Sequence, residues 1–340
     1  MSIVVYIIAL GLSAISLIEI NRLKNGFYIL LFTYLILIAG FRYNVGTDFW
    51  RYESAYLKEY IWFPELGLKY LISGLRYLSV PTQGFFLMTA FIIQYLIFRF
   101  LKKNSRYFYW SVFLYITFYY YNHSLNLIRQ FIAMAIFLYA IECILEKKFF
   151  KYNIFMFLVS LFHQSALVFY PIYFLSKLKI KRRIKMYILT LSFLLMFVKF
   201  DKIVIEILKK IGGRFAYYAT WGVEKYLKYD LSWEIVSVLF LKFLMIFWLT
   251  KNLRDSILNK NEKTLYNIYF LTSCISFVLY PMLIFRRLLF YTNILEIIIL
   301  PLFYNGSVKK RVVLISYALF YYFAHLLSGF SNPLPYILNV

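Results

Sequence analysis

Long apolar runs alternate with short basic clusters along the chain. The apolar runs fall near residues 2–20, 26–41, 83–98, 107–121, 127–145, 152–176, 186–200, 234–250, 264–284, 287–304 and 312–330. Many approach the roughly 20 residues that a helix needs to cross a bilayer. Lipid offers the backbone no hydrogen bonds, so each run is expected to be helical, and the alternation typical of a membrane barrel is absent. The pattern predicts an all-α, polytopic integral membrane protein with about 11–12 transmembrane or re-entrant helices.

The basic clusters predict the orientation of these helices. Lys and Arg in short loops concentrate on the cytoplasmic side of membrane proteins. The clusters are Arg22/Lys24, Arg99/Lys102/Lys103/Arg106, Lys147/Lys148/Lys151, Lys177/Lys179/Lys181/Arg182/Arg183/Lys185, Lys251/Arg254/Lys260/Lys263 and Lys309/Lys310/Arg311. If all of them face the cytoplasm, the chain crosses the membrane and returns between each cluster and the next. Both termini are then expected outside.

The run at 152–176 is too short for two full crossings, yet both of its flanks are basic. A single crossing would place the cluster that follows it on the wrong side. We therefore predict a helical hairpin that is partly re-entrant, shielded by protein, with its apex near His163.

Two long segments fall on the outer side, 42–82 and 201–233. Both mix apolar, basic and aromatic residues at near-helical spacing, which is typical of amphipathic helices lying in the membrane interface. No internal repeat and no low-complexity linker stands out. We predict a single transmembrane domain over 1–340.

Composition supports a membrane protein and changes how the charge is interpreted. The chain is 63% hydrophobic and 16% charged, with a mean hydropathy of +0.69. A net charge of +23 would suggest nucleic acid for a soluble protein, but here it is assigned to membrane orientation, and no nucleic-acid partner is predicted. Cys143 and Cys274 have no spacing that suggests a metal or a disulfide. The first apolar run is expected to be a retained helix rather than a signal peptide, since it lacks a basic start and a small-residue cleavage site.

Several polar residues interrupt apolar sequence on the predicted outer side. They are Arg42 and Asp48, Asn126, Arg129 and Gln130, His163, Arg286 and Arg287, and Tyr291. Ionisable residues at such depths usually face a bundle interior or a water-filled cavity. Guanidinium groups suit phosphate because their planar donor fork gives bidentate contacts. The set suggests a lipid-linked phosphate or pyrophosphate as ligand, with no metal or cofactor. Nucleotide-binding loops, zinc-protease motifs and nucleophile elbows are absent.

Structural alternatives exist for the residues of the first two groups. Arg42 could anchor a helix end at the lipid headgroups, and Asp48 could simply pair with it. Arg51 and Glu53 fit a solvated loop face. Arg129 is harder to explain as an anchor, because it opens an apolar helix between polar neighbours.

The remaining candidates have alternatives too. His163 could be a hydrogen-bonded core residue, or a general base or substrate ligand near neutral pH. Arg286 and Arg287 could lie in a tight turn between helices. Lys242, in the middle of an apolar run, is predicted to form a structural pair with Glu296.

Several motifs together resemble those of the EpsG-like family of Wzy-type polysaccharide polymerases. They are RYNVGTDFWRY at 42–52, NLIRQFIAMAI at 126–136, SLFHQSALVFYPIYF at 160–174, RRLLFY at 286–291 and NPLPY at 332–336. The first resembles the family signature R-x-x-x-G-x-D-x-x-x-Y. Each motif alone is weakly specific, but they occur in the family's order from about residue 40 onward.

The resemblance implies a fold of the GT-C class and a function. Such proteins join undecaprenyl-pyrophosphate-linked oligosaccharide repeat units, which serve as donor and acceptor, on the outer face of the bacterial cytoplasmic membrane. The product is O-antigen, capsule or exopolysaccharide, the bilayer is the surrounding partner, and a chain-length regulator is a further expected partner. Related ligases are regarded as metal-independent and inverting.

The resemblance also implies residue roles. Arg42, Arg129 and Arg286 or Arg287 would hold the diphosphate. Asp48 and His163 would orient or activate the acceptor hydroxyl, and the base is left open between these two. Asn126, Gln130 and Tyr291 would orient the substrate.

Two rival functions are kept. A flippase of lipid-linked oligosaccharide would also use a basic cavity, but it would predict inverted repeats and matched broken helices, which the sequence lacks. A membrane acyltransferase would explain a histidine at membrane depth but not the outer arginines.

Overall fold

The computed structural model describes residues 2–17, 24–58, 63–223, 227–253, 256–304, 307–328, 334 and 336–338. The chain divides into two compact units. Unit 1 comprises Met1–Tyr170 and Leu300–Val340, and unit 2 comprises Pro171–Ile299.

The elements follow one another with short connections. Unit 1 begins with α1 (Ser2–Ile15), α2 (Lys24–Gly40), β1 (Arg42–Tyr43), α3 (Phe49–Leu57), α4 (Leu66–Tyr77), α5 (Thr82–Asn104), α6 (Phe108–Thr117), α7 (Tyr120–Asn126), α8 (Ile128–Leu145), α9 (Phe149–Phe162) and a 3₁₀ helix (Gln164–Phe169). Unit 2 contains α10 (Ile172–Leu175), α11 (Arg182–Leu195), α12 (Asp201–Ile211), α13 (Gly213–Thr220), α14 (Trp233–Asn252), α15 (Lys260–Leu279), α16 (Leu283–Leu288), α17 (Phe290–Asn293) and α18 (Glu296–Ile299). The chain then returns to unit 1 with a 3₁₀ helix (Leu300–Tyr304), α19 (Val308–Leu327) and β2 (Ile337–Leu338).

The apolar runs are helical, and this confirms the predicted all-α fold of a polytopic membrane protein. Among the described residues, α5, α8 and α14 are long and apolar enough to cross a membrane. Shorter apolar helices stand beside them, over 3–15, 25–40, 108–117, 149–162 and 164–175. The strands form only a short β-ladder: β1 pairs antiparallel with β2 over two residues of each strand.

Several runs are broken where the sequence pattern suggested continuity. The run at 107–121 splits into α6 and α7 at Tyr119, whose backbone is left-handed with φ +66. The tight turn considered as an alternative for Arg286 and Arg287 does not include them, because both residues lie within the short helix α16. The chain bends just before, where Pro281 and its neighbours separate α15 from α16.

Helix α8 forms the centre of unit 1. Between Phe131 and Ile141 it is apolar on all sides, and 78% of its spanning window is buried, against 22% for α14 in unit 2. A helix that is hydrophobic all round is expected to be enclosed by others. Small residues at Ala133, Ala135 and Ala140 let its neighbours approach closely, and each is fully buried.

Unit 1 has two distinguishable ends. We call the end where α5 and α8 finish the basic end, because Lys102, Lys103 and Lys148 lie there. The opposite end, where α2 and α9 finish and α8 begins, is called the site end. The contact of Tyr28 near the start of α2 with Phe98 near the end of α5 shows that these two helices run antiparallel.

The 152–176 segment turns back at His163. Helix α9 ends there, and the 3₁₀ helix that follows returns along α9. The Tyr152 hydroxyl near the start of α9 donates to the carbonyl of Tyr170 at 2.9 Å. The segment therefore folds back on itself within unit 1, and its last residues form α10 in unit 2.

Aromatic stacking and one ion pair organise unit 2. Phe193 of α11 stacks on Phe243 of α14 with ring centroids 4.5 Å apart. The predicted pair between Lys242 and Glu296 is confirmed, with Nζ and Oε2 separated by 3.1 Å. Both side chains are largely buried, so each charge has its partner inside the bundle.

The two outer segments contain helices. The first holds α3 and α4, and the second holds α12 and α13. On α12, Ile203, Ile207 and Ile211 form an exposed stripe at four-residue spacing, while Leu208 packs into a small cluster with Ala219. Such a stripe is typical of a helix that lies on an apolar surface.

Candidate functional site

The loop after α2 is shaped by two residues with positive φ. Asn44 has φ +51 and Gly46 has φ +93, in the region that favours glycine. A Cβ on Gly46 would lie 3.1 Å from the Asn126 side-chain oxygen. Glycine therefore serves both the turn and the close approach of the loop to the end of α7.

Asn126 joins the first two sequence motifs. Its Oδ1 accepts hydrogen bonds from the Asp48 backbone N–H at 2.8 Å and the Thr47 hydroxyl at 3.1 Å. Its Nδ2 lies 2.9 Å from the same Thr47 hydroxyl. These bonds span 78 residues in sequence for the Asp48 contact. Asn126, predicted to orient substrate, here fixes the loop that carries Asp48.

Arg42 is enclosed by protein, with 1% of its surface exposed. Its Nη1 donates to the Ala39 carbonyl, and its Nη2 donates to the Leu125 carbonyl at 2.9 Å. Its guanidinium lies 4.5 Å from the centre of the Phe86 ring. No described carboxylate forms an ion pair with it, and its Nε has no hydrogen-bond acceptor among the described residues.

Burial lowers the pKa of Arg42 but leaves the side chain charged. Removal from water lowers its pKa to about 10, against the raising effect of nearby tyrosine hydroxyls. That value is still far above neutral pH, so the side chain stays a cation. The buried position of Arg42 does not fit a residue that anchors a helix end at the lipid headgroups, because its guanidinium donates to backbone carbonyls inside the protein.

Arg129 opens α8 and is held from two sides. Its Nη1 lies 2.5 Å from Oε2 of Glu65, and its guanidinium lies 4.3 Å from the centre of the Phe63 ring. The Tyr52 hydroxyl accepts from its backbone N–H at 3.4 Å. Because 22% of the Arg129 side chain is exposed and its Nε has no acceptor in the described part of the chain, the group keeps donor capacity.

Glu65 is a site residue that the sequence analysis missed. Its side chain is fully buried, just before α4 begins. A buried carboxylate is costly unless it is paired, and the pair with Arg129 meets that need. The available signal was one carboxylate beside a proline, in WFPELGLKY, within a segment otherwise interpreted as interfacial.

His163 lies at the same end of unit 1. It follows the last residue of α9, and its Nδ1 lies 2.7 Å from the Ser165 hydroxyl. Helix α4 meets α9 here, because a Cβ on Gly67 would lie 2.9 Å from the Leu161 carbonyl. Gly67 follows Glu65 by two residues and Leu161 precedes His163 by two, so the ends carrying these groups are neighbours.

Asp48 pairs with Arg51 and not with Arg42. Its Oδ1 lies 3.5 Å from Nη1 of Arg51, with side-chain exposures of 20% and 76%. Such an exposed pair contributes little to stability. Asp48 is thus a partly accessible carboxylate at the surface of the loop, which agrees with a solvated position for Arg51.

Gln130 lies in unit 1, whereas Arg286, Arg287 and Tyr291 lie in unit 2. Gln130 is buried in α8, 4% exposed. In unit 2, Arg286 donates to the Tyr280 carbonyl at 2.9 Å and pairs with Asp230 at 3.3 Å. Arg287 is exposed, and Tyr291 is fully buried.

The structure thus assembles one polar cluster at the site end of unit 1. Its members come from the loop after α2, from α3, from the residues before α4, from the end of α7, from the start of α8 and from the end of α9. The polar members are Arg42, Asp48, Tyr52, Glu65, Asn126, Arg129 and His163, and the ring of Phe63 lies against Arg129. Among the described residues, no three His, Cys, Asp or Glu side chains lie together as a metal site.

The fold is that of an all-α, polytopic membrane protein, and Arg42 and Arg129 lie at the site end of unit 1. The chain belongs to the EpsG family, whose family model matches residues 25–338. No curated protein and no solved structure matches the chain.

Membership of the EpsG family points in general to a glycosyltransferase-like polymerase in polysaccharide biosynthesis. Of the five motifs, the first two and residues 160–170 of the third lie in unit 1, whereas residues 171–174 of the third and the whole fourth motif lie in unit 2. In the terminal motif, residues 332, 333 and 335 lie outside the described residues. Tyr336 of that motif donates from its hydroxyl to the Ile38 carbonyl at 2.6 Å, which ties the terminal segment to the end of α2.

Proposed function

We propose that this protein is a Wzy-type polymerase with a GT-C-like fold. It would join undecaprenyl-pyrophosphate-linked oligosaccharide repeat units on the outer face of the bacterial cytoplasmic membrane. The observation that carries the proposal is Arg129, a guanidinium oriented by Glu65 and Phe63 yet 22% exposed where a membrane helix begins. Family membership supports the reaction class.

The reaction transfers a glycosyl group from a lipid diphosphate to a hydroxyl. The acceptor oxygen attacks the anomeric carbon of the donor sugar, the bond from that carbon to the diphosphate oxygen breaks, and lipid diphosphate leaves with the electron pair. A single displacement inverts the anomeric centre. The acceptor proton passes to a base of the protein.

Arg129 is suited to the leaving group. Charge accumulates on the diphosphate as its bond to the sugar breaks, so a fixed guanidinium binds the transition state more tightly than the ground state. Glu65 binds Nη1 of Arg129 and thereby fixes the orientation of the guanidinium. The remaining N–H donors of the guanidinium are assigned to the diphosphate.

Arg42 is assigned a supporting electrostatic role beside Arg129. It is a cation without a described carboxylate partner, and it holds the Leu125 carbonyl four residues before Arg129. In a region of low dielectric constant its charge is weakly screened. It therefore favours an anion at this end of unit 1 without contacting it. For Arg286 or Arg287, the diphosphate role stays a prediction.

Asp48 and His163 are the candidate bases for the acceptor proton. Asp48 is a partly exposed carboxylate on a loop fixed by Asn126. His163 would act as a base if its Nδ1–H donates to the Ser165 hydroxyl, because its Nε2 then carries the lone pair. Asn126, Gln130 and Tyr291 are proposed to orient the substrate.

The proposal is tested by polymerisation with purified protein, lipid-linked repeat units and no energy source. The unchanged protein is expected to lengthen the glycan, whereas a flippase would not. Arg129→Ala is expected to lower the rate about 10²–10³-fold, the usual cost of removing one such donor. Arg129→Lys retains charge but not the planar fork, and an intermediate loss is expected.

Arg183→Ala serves as the matched control, because Arg183 is an exposed arginine of unit 2 in a basic cluster. It is expected to polymerise at the unchanged rate. If Arg129→Ala is folded and makes glycan of normal length at a normal rate, the role of Arg129 is wrong. If the unchanged protein does not lengthen lipid-linked glycan at all, the polymerase assignment is wrong.

A further inference from the structure

A groove lies between α2 and α5 at the basic end of unit 1, away from the site end. Its cavity measures about 480 Å³. Its walls are the rings of Tyr28, Phe32, Tyr95 and Phe98. Tyr95 is 46% exposed, and so the groove opens onto a surface that contacts acyl chains in a membrane. The walls therefore suit an apolar chain.

Three cations line one end of this groove, and one of them is already neutralised. Lys103 Nζ lies 3.1 Å from Oε2 of Glu142 and 3.2 Å from Oε1 of Glu146. The two carboxylates at the end of α8 neutralise the charge of Lys103. Lys103 therefore attaches α5 to α8 and contributes little to binding an anion in the groove.

The other two cations lack such partners. Arg99 and Lys102 are exposed and form no ion pair with a described carboxylate. The Arg99 guanidinium lies 5.5 Å from the centre of the Tyr139 ring, and Lys102 Nζ lies 6.0 Å from that of Tyr28. Two adjacent cations, without carboxylates, at the mouth of an aromatic groove suit an anion with an apolar tail.

The groove is separate from the candidate active site. Arg42 lies over Phe86, and Lys102 follows Phe86 by 102 − 86 = 16 residues on the same helix. At 1.5 Å per residue this corresponds to about 24 Å along α5. A phosphate held at one end cannot contact the groups at the other.

We propose that this groove binds an anionic phospholipid of the bilayer. The phosphate lies against Arg99 and Lys102, and an acyl chain follows the wall formed by Phe32, Tyr95 and Phe98. Basic pockets between membrane helices on the side where Lys and Arg concentrate are known to hold anionic headgroups. A zwitterionic lipid lacks the net charge that two unpaired cations attract. The proposal does not depend on the polymerase activity.

The test is lipid retention by the purified full chain, measured by native mass spectrometry in detergent. Phosphatidylglycerol and phosphatidylcholine of equal chain length are titrated separately. The unchanged protein is expected to retain phosphatidylglycerol preferentially. One cation near a charged lipid surface is worth about fivefold in affinity. The double variant Arg99→Gln/Lys102→Gln is therefore expected to bind phosphatidylglycerol about 25-fold more weakly.

The control removes the same number of charges elsewhere. Lys151 and Lys309 are exposed cations of unit 1 outside the groove, and Lys151→Gln/Lys309→Gln is expected to bind as the unchanged protein does. The conservative variant Arg99→Lys/Lys102→Arg is expected to keep the preference, because it keeps both charges, and an unchanged unfolding temperature of the Gln variant excludes misfolding as the cause of its loss.

Three outcomes would overturn the proposal. Equal retention of both lipids would show that charge does not select the occupant. Equal losses in the two Gln variants would show that total charge, and not the groove, sets binding. Displacement of the bound lipid by glycerophosphoglycerol, the headgroup without chains, at the same concentration would show a simple anion site.

Discussion

Arg42 is a buried cation whose hydrogen bonds are directed at the main chain. The carbonyls it holds belong to Ala39 at the end of α2 and Leu125 near the end of α7. Helix-terminal carbonyls lack partners within their own helix, and a guanidinium can satisfy two of them at once. Arg42 thereby fastens two helix ends at the level of the candidate site. Arg129, in contrast, pairs with a carboxylate and is partly exposed.

Arg42→Ala is expected to lower stability. Two charge-assisted hydrogen bonds and the packing on Phe86 are lost, offset by relief of a buried charge, for a net cost of about 2–4 kcal/mol. Thermal unfolding of the purified protein in detergent, followed by intrinsic tryptophan fluorescence, measures the change. Arg51→Ala, in the same loop but 76% exposed at its side chain, should unfold at the unchanged temperature.

The same pair of variants separates the two roles of Arg42. If Arg42 only fastens the helix ends, activity should fall in proportion to the loss of folded protein. An unchanged unfolding temperature with lost polymerisation would contradict the structural role, and would favour the direct diphosphate contact that the family resemblance implies.

Helix α4 sets the position of Glu65 relative to the rest of the cluster. It approaches the end of α9 closely at Gly67, and glycine is required there because the Leu161 carbonyl and the Phe162 ring occupy the space of a Cβ. The approach holds the start of α4, and with it Glu65, at a fixed distance from α8. It also brings α4 beside the segment that carries His163.

Gly67→Ala is expected to impair polymerisation. The new Cβ would lie 2.9 Å from the Leu161 carbonyl oxygen, which is closer than Cβ atoms normally approach, so α4 or α9 must shift. Small misplacements of positioned groups can cost up to about 10²-fold in rate. The loss is measured as the polymerisation rate of purified protein with lipid-linked repeat units.

Gly74→Ala is the matched control on the same helix. Nothing lies within 4 Å of its Cβ position, and alanine stabilises an exposed helix by about 0.5–1 kcal/mol over glycine. It is expected to keep full activity. Equal activity of the Gly67 and Gly74 variants would refute the claim that the approach of α4 to α9 positions Glu65.

The distribution of charge along the molecule predicts its orientation in the membrane. The site end of unit 1 carries the polar cluster, and the basic end carries the lysines at the ends of α5 and α8. The positive-inside rule predicts that the basic end faces the cytoplasm and that the site end faces the exterior. Lipid-linked repeat units presented outside would then meet Arg129.

Single-cysteine labelling in intact cells tests this orientation. Tyr77 in α4 is 89% exposed, and Phe150 between the lysines at the start of α9 is 77% exposed. A membrane-impermeant maleimide is expected to label Tyr77→Cys in intact cells and Phe150→Cys only after permeabilisation. Cys143 and Cys274 are buried and are replaced by serine in both variants. The reverse labelling pattern would place the site end in the cytoplasm.

The amino-acid sequence by itself determined the fold class, the helical runs and the ends at which charges gather. Lipid imposes these features locally, because an unsatisfied backbone or an unpaired charge is costly wherever it meets hydrocarbon. The Lys242–Glu296 pair was also predictable, since each charge interrupts an apolar run and needs an opposite partner. The break at Tyr119 was not predictable, because no strong turn signal marks it locally, whereas Pro281 marks the break before α16.

The tertiary structure alone decided which arginine is buried and which is accessible. Arg42 and Arg129 both adjoin apolar helices in the sequence, yet one holds carbonyls inside the protein and the other pairs with Glu65 at a separation of 64 residues. Tyr336 reaches Ile38 across 298 residues. Such contacts depend on how distant segments pack, and the free energy of that packing is not present in any local pattern of apolar and polar residues.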